Sequence, residues 1–312
     1  MPWRGPDRIA KVAVIGAGLI GAGWVTAFLA RGLAVRVYDP SPDAPETVRA
    51  HVARAWRELA ERGLAPGADP AAISFHSDLA AAVADADFVQ ENTPERAEVK
   101  AALFAALDRM LPPDVVVASS TSSLPITQLA EGCETGARFV LGHPFNPVHL
   151  MPLVELGGGV RTDPAAIEAA QALYVGMGKR PVRLRQEIFG HIANRLTSAM
   201  FREAVSLVAN GTATVEDIDT AIRFGPALKW AIQGQFTTFH TSGGAGGIAN
   251  FLPHFAPGIQ KRWASMTTPD LADPALQAEL VAQVEAMHAG KPVAEIAQHQ
   301  DAMLLALLRL LD

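Results

Sequence analysis

Lys11-Val-Ala-Val-Ile-Gly-Ala-Gly-Leu-Ile-Gly21 is followed by an apolar run and then by Val35-Arg-Val-Tyr-Asp39. Four apolar residues stopped by a glycine read as a buried strand, the glycines as a turn, the apolar run as a helix, and the second segment as a strand ending in a carboxylate. Together they make one βαβ unit with the glycine spacing of a dinucleotide site. Gly16 serves the tight turn, Gly18 lets a pyrophosphate approach the backbone, and Gly21 lets the helix pack closely on the strand. Gly16, Ala17, Gly18, Leu19, Ile20 and Gly21 are therefore the candidate phosphate cradle, where unpaired N–H groups and the positive end of the helix dipole favour an anion. Asp39 can accept from both ribose hydroxyls, whereas a 2′-phosphate would meet its charge; the nearby Arg36 lies within the strand. NAD is expected over NADP.

Outward from this unit, short apolar strands alternate with helical patterns to about residue 185. Glu46 to Arg62 carries Val48, Val52, Trp56 and Leu59 on one helical face and ends near Gly63. Ile73 to His76, Phe88 to Glu91, Val115 to Ser119, Phe139 to His143 and Arg180 to Leu184 read as strands, with helices over Glu95 to Met110 and Thr162 to Met177. The alternation predicts an α/β fold: a doubly wound, mostly parallel Rossmann-type sheet. Strand signals stop beyond Arg185. Ile188 to Ala209, Val215 to Phe224, Trp230 to Thr241, Leu276 to His288 and Val293 to Leu311 read as helices, with Thr214 and Asp217 as a capping box. The expected organisation is a dinucleotide-binding domain over 1–185 and an all-helical domain over 186–312. Gly243-Gly-Ala-Gly-Gly247 has no strand before it and reads as a loop joining helices.

Composition narrows the function classes. The 312 residues suffice for two domains, and 49% hydrophobic residues can supply two cores. A net charge of −6 offers no basic face to nucleic acid or to an anionic membrane. A single cysteine, Cys133, cannot form an internal disulfide and reads as a small core residue. Without Cys/His ligand spacing no metal site is expected. The polar start Met1-Pro-Trp-Arg-Gly-Pro-Asp-Arg and the lack of a long apolar run argue against a signal peptide or a membrane span. A cytoplasmic protein with a small-molecule substrate, and without nucleic-acid or membrane partners, is expected.

A second informative stretch is Leu141-Gly-His-Pro-Phe-Asn-Pro-Val-His-Leu-Met-Pro-Leu-Val-Glu155. His143 stands at the end of a strand, beside two prolines, and can act as a general base. Glu155 falls where the next strand could return a carboxylate to it, orienting the imidazole and favouring its protonated form. Such a pair suits alcohol oxidation, in which a base takes the hydroxyl proton as hydride departs. His149 is the rival base, farther from the strand end.

The glycine turn, Ser120-Thr-Ser-Ser-Leu124, Gly142-His-Pro-Phe-Asn-Pro147, Glu155 and Gly190-His-Ile-Ala-Asn-Arg-Leu196 occur in the order found in the 3-hydroxyacyl-CoA dehydrogenase superfamily, which the chain resembles over nearly its whole length. Gly21-Ala-Gly-Trp-Val25, Gln90-Glu-Asn-Thr-Pro-Glu-Arg96, Ile222-Arg-Phe-Gly225 and the glycine loop at Gly243 make it most similar to the L-carnitine 3-dehydrogenase branch; the λ-crystallin/L-gulonate 3-dehydrogenase branch is also similar. The resemblance implies NAD-dependent oxidation of the 3-hydroxyl of a small L-3-hydroxy acid, with His143 as base and Glu155 as its partner. It further implies that Ser122 and Asn194 hydrogen-bond the substrate or the base, that Asn146 positions nicotinamide and substrate, and that Glu95 and Lys100 belong to the cofactor side. Each also has a plainer reading: Ser122 as a turn residue, Asn194 as an exposed helix residue, Glu95 as a first-turn anion and Lys100 as a solvated surface charge. The chain departs from the family at Phe189-Gly-His191, where Pro-Gly-Phe is usual.

Acyl-CoA members of the family usually finish with Gly-x-Gly-Phe-Tyr, which Leu307-Leu-Arg-Leu-Leu-Asp312 lacks, so a free hydroxy acid is expected over a CoA thioester. A trimethylammonium group would need an aromatic cage or a carboxylate, and Trp230, Phe236 and Phe239 fall in a suitable segment for a cage; the alternative is helix packing. Met303, Leu304, Leu307, Leu308 and Leu311 form an apolar face wanting a partner, hence an expected homodimer. A dinucleotide-binding structural protein of crystallin type is the different-class alternative, and it would need neither His143 nor Glu155.

Overall fold

The computed structural model describes residues 3–311; Met1, Pro2 and Asp312, the extremities of the terminal segments read above, lie outside them. By Cα proximity the chain forms two compact units, one of residues up to 194 together with 304–309, the other of residues 195–303 with those after 309.

The first unit is built on eight strands, β1 (Lys11–Ile15), β2 (Ala34–Tyr38), β3 (Ile73–His76), β4 (Phe88–Glu91), β5 (Val116–Ser119), β6 (Phe139–Pro144), β7 (Leu153–Gly158) and β8 (Arg180–Arg183). They lie in the order β3-β2-β1-β4-β5-β6-β7-β8, and only β6 and β7 pair antiparallel. The chain runs from β1 outward to β3 and then returns to the other side of β1. This reversal leaves a crevice beyond the carboxyl ends of β1 and β4, where open α/β sheets bind ligands.

Successive residues of β1 face opposite layers, as the two-residue period of a strand requires. Val12 and Val14 pack with Trp24, Phe28 and Tyr174, whereas Ala13 and Ile15 pack with Phe104, Leu107 and Phe139. Helices α1 (Leu19–Leu29), α2 (Ala44–Arg62) and, later in the chain, α6 (Pro164–Gly176) supply the first layer; α3 (Leu79–Val83), α4 (Ala97–Met110) and α5 (Ile126–Leu129) supply the second. Every residue of α1 from Gly21 to Leu29 is buried, which explains why its sequence shows no polar face. On α2, Val48 and Val52 are buried as the spacing predicts, while Trp56 and Leu59 are half-buried. The Asp163-Pro164 start of α6 is a capped one, with Asp163 accepting from the Ala165 N–H at 2.9 Å.

After β8 the chain continues through α7 (Ala193–Ala209), α8 (Val215–Phe224), α9 (Pro226–Ser242), α10 (Gly247–Ser265), α11 (Pro274–His288) and α12 (Val293–Leu311). The α8 cap is as expected, with Thr214 Oγ1 accepting from the Asp217 N–H at 3.1 Å. Three features depart from the sequence reading. Helix α7 begins at Ala193, not at 188, because Gly190 and His191 adopt left-handed φ of 77° and 50° that a helix cannot include. Gly234, at φ 69° and ψ 174°, breaks α9 into two pieces. Helix α10 was not anticipated: Pro253 and Pro257 lie inside it, and internal prolines ordinarily argue against a helix. The Gly243–Gly247 cluster is a loop, with a short 3₁₀ turn at Gly244–Gly246 leading from α9 into α10. On α12 the packed face is Leu304, Leu305 and Leu308 against Leu150, while Met303, Leu307 and Leu311 are exposed. Among the described residues no helix is long and apolar enough to cross a membrane.

Candidate active site

The turn after β1 needs its glycines for different reasons. Gly16 has φ 88°, and a Cβ there would meet the Asn92 carbonyl oxygen at 2.6 Å; a Cβ on Gly21 would meet the Gly16 oxygen at 1.9 Å. These two serve the protein's own packing. A Cβ on Gly18 would meet nothing within 4 Å, and Gly18 is the N-cap of α1 without a side-chain cap. The start of α1 thus faces open space with its N–H groups uncapped by any side chain, which fits the pyrophosphate of a dinucleotide. Asp39 follows β2, and its carboxylate accepts from the Ala17 N–H at 2.7 Å and the Ser41 N–H at 2.8 Å. It braces the glycine turn and retains acceptor capacity for ribose hydroxyls. Arg36 is directed to the sheet edge, donating to the Ala81 and Ala82 carbonyls and pairing with Asp85 at 3.1 Å.

The antiparallel register of β6 and β7 sets His143 opposite Glu155. His143 Nδ1 lies 2.8 Å from Glu155 Oε2, and Glu155 is fully buried. A carboxylate accepts, so Nδ1 carries a hydrogen, and in the neutral ring the lone pair is then on Nε2. Glu155 Oε1 accepts from the N–H groups of Ile192 and Ala193, at 2.8 and 2.9 Å, where α7 begins. Burial alone would raise the Glu155 carboxyl; its hydrogen bonds to His143, Ala193 and Ile192 outweigh that and hold it below the usual carboxylate range. His143 lines a cavity of about 230 Å³ with Ile20, Asn92, Thr93, Ser120 and Ser122. His143, the start of α1 and Ser122 therefore meet at the crevice predicted by the strand order.

Glu95 is the clamp of this cavity. Its Oε1 accepts from Thr121 Oγ1, from the N–H groups of Ser122 and Ser123, and from both serine hydroxyls, at 2.7 to 3.2 Å. Desolvation opposes the charge of Glu95, but these bonds and Lys100 keep its carboxyl below the ordinary range. Lys100 is not solvated on the helix surface. At 1% exposure it donates to both oxygens of the buried Glu91, at 2.8 and 3.0 Å, and to the Thr93 carbonyl.

The remaining candidates are spread out. Asn194 is half-buried in the first turn of α7, and Asn146 is exposed in the turn after β6, before the cis peptide to Pro147. Trp230 precedes the Gly234 break and Phe236 and Phe239 follow it; Phe239 stacks on Phe251 at 4.7 Å and Phe236 is 84% exposed. His149 Nε2 lies 2.8 Å from Glu58 Oε2, and its ring packs edge-on against His51. Sequence reasoning missed Glu91, Asn92 and Ser120 as individual participants. Ser120 Oγ takes hydrogen bonds from Trp24 and Gln90 and donates to Asn92 Oδ1 at 2.7 Å, so it anchors the cavity wall. The available signal was the polar run Gln90-Glu91-Asn92 directly after the apolar Phe88-Val89.

Residues 11–188 match the family 3-hydroxyacyl-CoA dehydrogenase, NAD binding domain, and residues 190–281 match 3-hydroxyacyl-CoA dehydrogenase, C-terminal domain. The chain is 44% identical over 304 residues to an L-carnitine dehydrogenase of Streptomyces griseus, covering 97% of this chain and 90% of that protein. An L-carnitine dehydrogenase of Burkholderia mallei is 46% identical over 266 residues, 85% of this chain and 83% of that one. Among solved structures, an NAD⁺-dependent dismutase, 5-formyl-3-hydroxy-2-methylpyridine 4-carboxylic acid 5-dehydrogenase, superposes with a TM-score of 0.82 at 28% identity over 97% of this chain and 98% of that one.

Proposed function

Because the chain belongs to the 3-hydroxyacyl-CoA dehydrogenase family, we propose that it oxidises the 3-hydroxyl of L-carnitine to the 3-keto acid with NAD as acceptor. The observation that carries this reading is the His143–Glu155 pair at 2.8 Å facing the cavity beside the glycine turn. The choice of carnitine rests on the L-carnitine dehydrogenases it resembles over nearly its full length.

NAD supplies a hydride acceptor when bound. His143 Nε2 takes the hydroxyl proton as the C3 hydride leaves, so the C–O bond becomes a carbonyl and the imidazole becomes an imidazolium. Glu155 accepts the hydrogen bond from Nδ1–H and, staying ionised, offsets the new positive charge, which keeps the ring in one tautomer throughout. Ser122, held by Glu95, and Asn194 hydrogen-bond the substrate oxygen. Glu95, Lys100 and Asn146 support the cofactor side, with Asp39 on the ribose and Gly16, Ala17, Gly18, Leu19, Ile20 and Gly21 around the pyrophosphate. Trp230, Phe236 and Phe239 receive the trimethylammonium group by cation–π attraction. Residues 1–185 carry the cofactor and 186–312 the substrate and a homodimer contact. The protein works in the cytoplasm, a setting that suits a single cysteine, Cys133, whose thiol burial pushes up to about 11.

The test is NADH formation with L-carnitine, L-gulonate, L-3-hydroxybutyrate and L-3-hydroxybutyryl-CoA. The highest kcat/KM is expected for L-carnitine. Preference for the thioester or the sugar acid would move the substrate assignment, and no turnover with any of them would support a non-catalytic dinucleotide binder.

A further inference from the structure

Of the buried histidines that the reaction above leaves unused, His51, His149 and His191, the last packs against His143. His191 is 4% exposed and holds a left-handed φ of 50°, uncommon for a residue with a side chain and maintained only where the surroundings require it. Its ring lies 5.2 Å from that of His143, tilted by 52°. Its Nε2 lies 3.0 Å from the Thr121 carbonyl. A carbonyl only accepts, so Nε2 carries the hydrogen. The other nitrogen, Nδ1, is buried with no hydrogen-bond partner among the described residues. A second proton there would place a charge in a buried site with nothing to accept from it. Burial, the largest influence, holds the imidazole below its ordinary range; the Thr121 carbonyl opposes this, and the neighbouring His143 lowers it further against the pull of Glu155 and Glu95.

The position gives this ring two attachments. The peptide N–H groups that follow it, Ile192 and Ala193, are the ones that hold Glu155 Oε1. The carbonyl it holds belongs to the residue before Ser122, in the loop gathered by Glu95.

We propose that His191 is a positioning residue: a neutral Nε2–H donor that ties the Thr121–Ser123 loop to the His143–Glu155 pair and leaves the proton of the reaction to His143 alone. Two imidazoles this close share a positive charge poorly, so a partner that stays neutral preserves the basicity of the one that works. The inference rests on the reading of His143 as the base.

His191→Phe keeps a planar ring but removes the donor, whereas His191→Gln restores an N–H at comparable reach. Losing one buried hydrogen bond that matters to the reacting geometry costs on the order of tenfold in kcat. His191→Phe is expected to lose about that much with NADH affinity within about twofold of wild type, and His191→Gln to recover most of it. A ring needed only for packing gives the opposite order, with the phenylalanine variant active and the glutamine variant impaired, and overturns the proposal. Imidazole nitrogen NMR of the wild-type protein needs neither variant to fold: His191 is expected as the Nε2–H tautomer without titrating between roughly pH 6 and 8. An Nδ1–H tautomer, or titration in that window, also overturns it. Wild-type turnover with an unaffected His191→Phe defeats this inference alone; absence of wild-type turnover on every 3-hydroxy acid defeats the functional reading and this one with it.

Discussion

At the scale of single residues, the chemistry depends on which atoms are already engaged. His143 spends Nδ1 on Glu155, so only Nε2 can serve as base. A positioned general base typically contributes 10²–10⁴-fold, so His143→Gln should lose about that factor in kcat while NADH binding, read by fluorescence titration, stays near wild type. Near-normal turnover in that variant, with loss in His149→Gln, would transfer the role to His149. Its Nε2 contact with Glu58 leads us to expect the reverse. Asp39 is doubly engaged by backbone N–H groups, which gives its replacement two effects. Asp39→Ser should raise the KM for NAD and narrow the gap to NADP, because an acceptor for the ribose hydroxyls and a repelling charge both go, and it should also loosen the turn at Ala17. Steady-state kinetics with both cofactors decides; unchanged KM values would remove Asp39 from the site.

At the scale of elements, β4 and α4 are joined beneath the cavity by the buried Glu91–Lys100 pair. Removing one partner of such a pair leaves the other charge buried and uncompensated, at about 3–5 kcal/mol. Lys100→Met should therefore lower the denaturant midpoint strongly, and adding Glu91→Gln should restore part of the loss. If the single variant were as stable as wild type, the pair would be contributing nothing. The contact from β7 to the start of α7 makes a pH prediction. Glu155 has a folded-state pKa below its ordinary 4.5, so the folded protein holds a carboxylate where the unfolded chain has begun to protonate. Its contribution to stability is complete above the ordinary value and is lost as pH falls through the lower, folded one. The difference in melting temperature between wild type and Glu155→Gln should hence shrink as pH drops below about 4.5; a difference that stays constant through that range would contradict the linkage.

At the scale of the whole molecule, this NAD-dependent oxidoreductase exposes large apolar side chains on its helices, among them Ile232, Phe236, Trp263 and Leu310. Scattered apolar exposure is ordinary, whereas a contiguous apolar face is what an interaction surface presents. A homodimer is expected by light scattering at micromolar concentration. A monomer there would leave Met303, Leu307 and Leu311 without the partner their spacing suggested.

The βαβ unit was legible because its signals are local. Four apolar residues, glycines at fixed offsets and a terminal carboxylate each act within a few residues, and β1, α1 and β2 lie where that pattern put them. His143 and Glu155 were legible for a related reason: strands consecutive in sequence, here linked by residues 145–152, usually lie side by side, and the antiparallel register made the two residues neighbours. The C-terminal helices were harder. Pro253 and Pro257 sit inside α10 against their local preference, whereas Gly234 interrupts α9 in the left-handed conformation that glycine adopts readily. What only the tertiary structure decided are the pairings across the sheet and between distant segments: Lys100 with Glu91, Glu95 with the Ser122 loop, and His191 with Thr121, 70 residues away in sequence. No spacing rule encodes such contacts, since they depend on which strands lie side by side and on what burial leaves for a polar atom to bond.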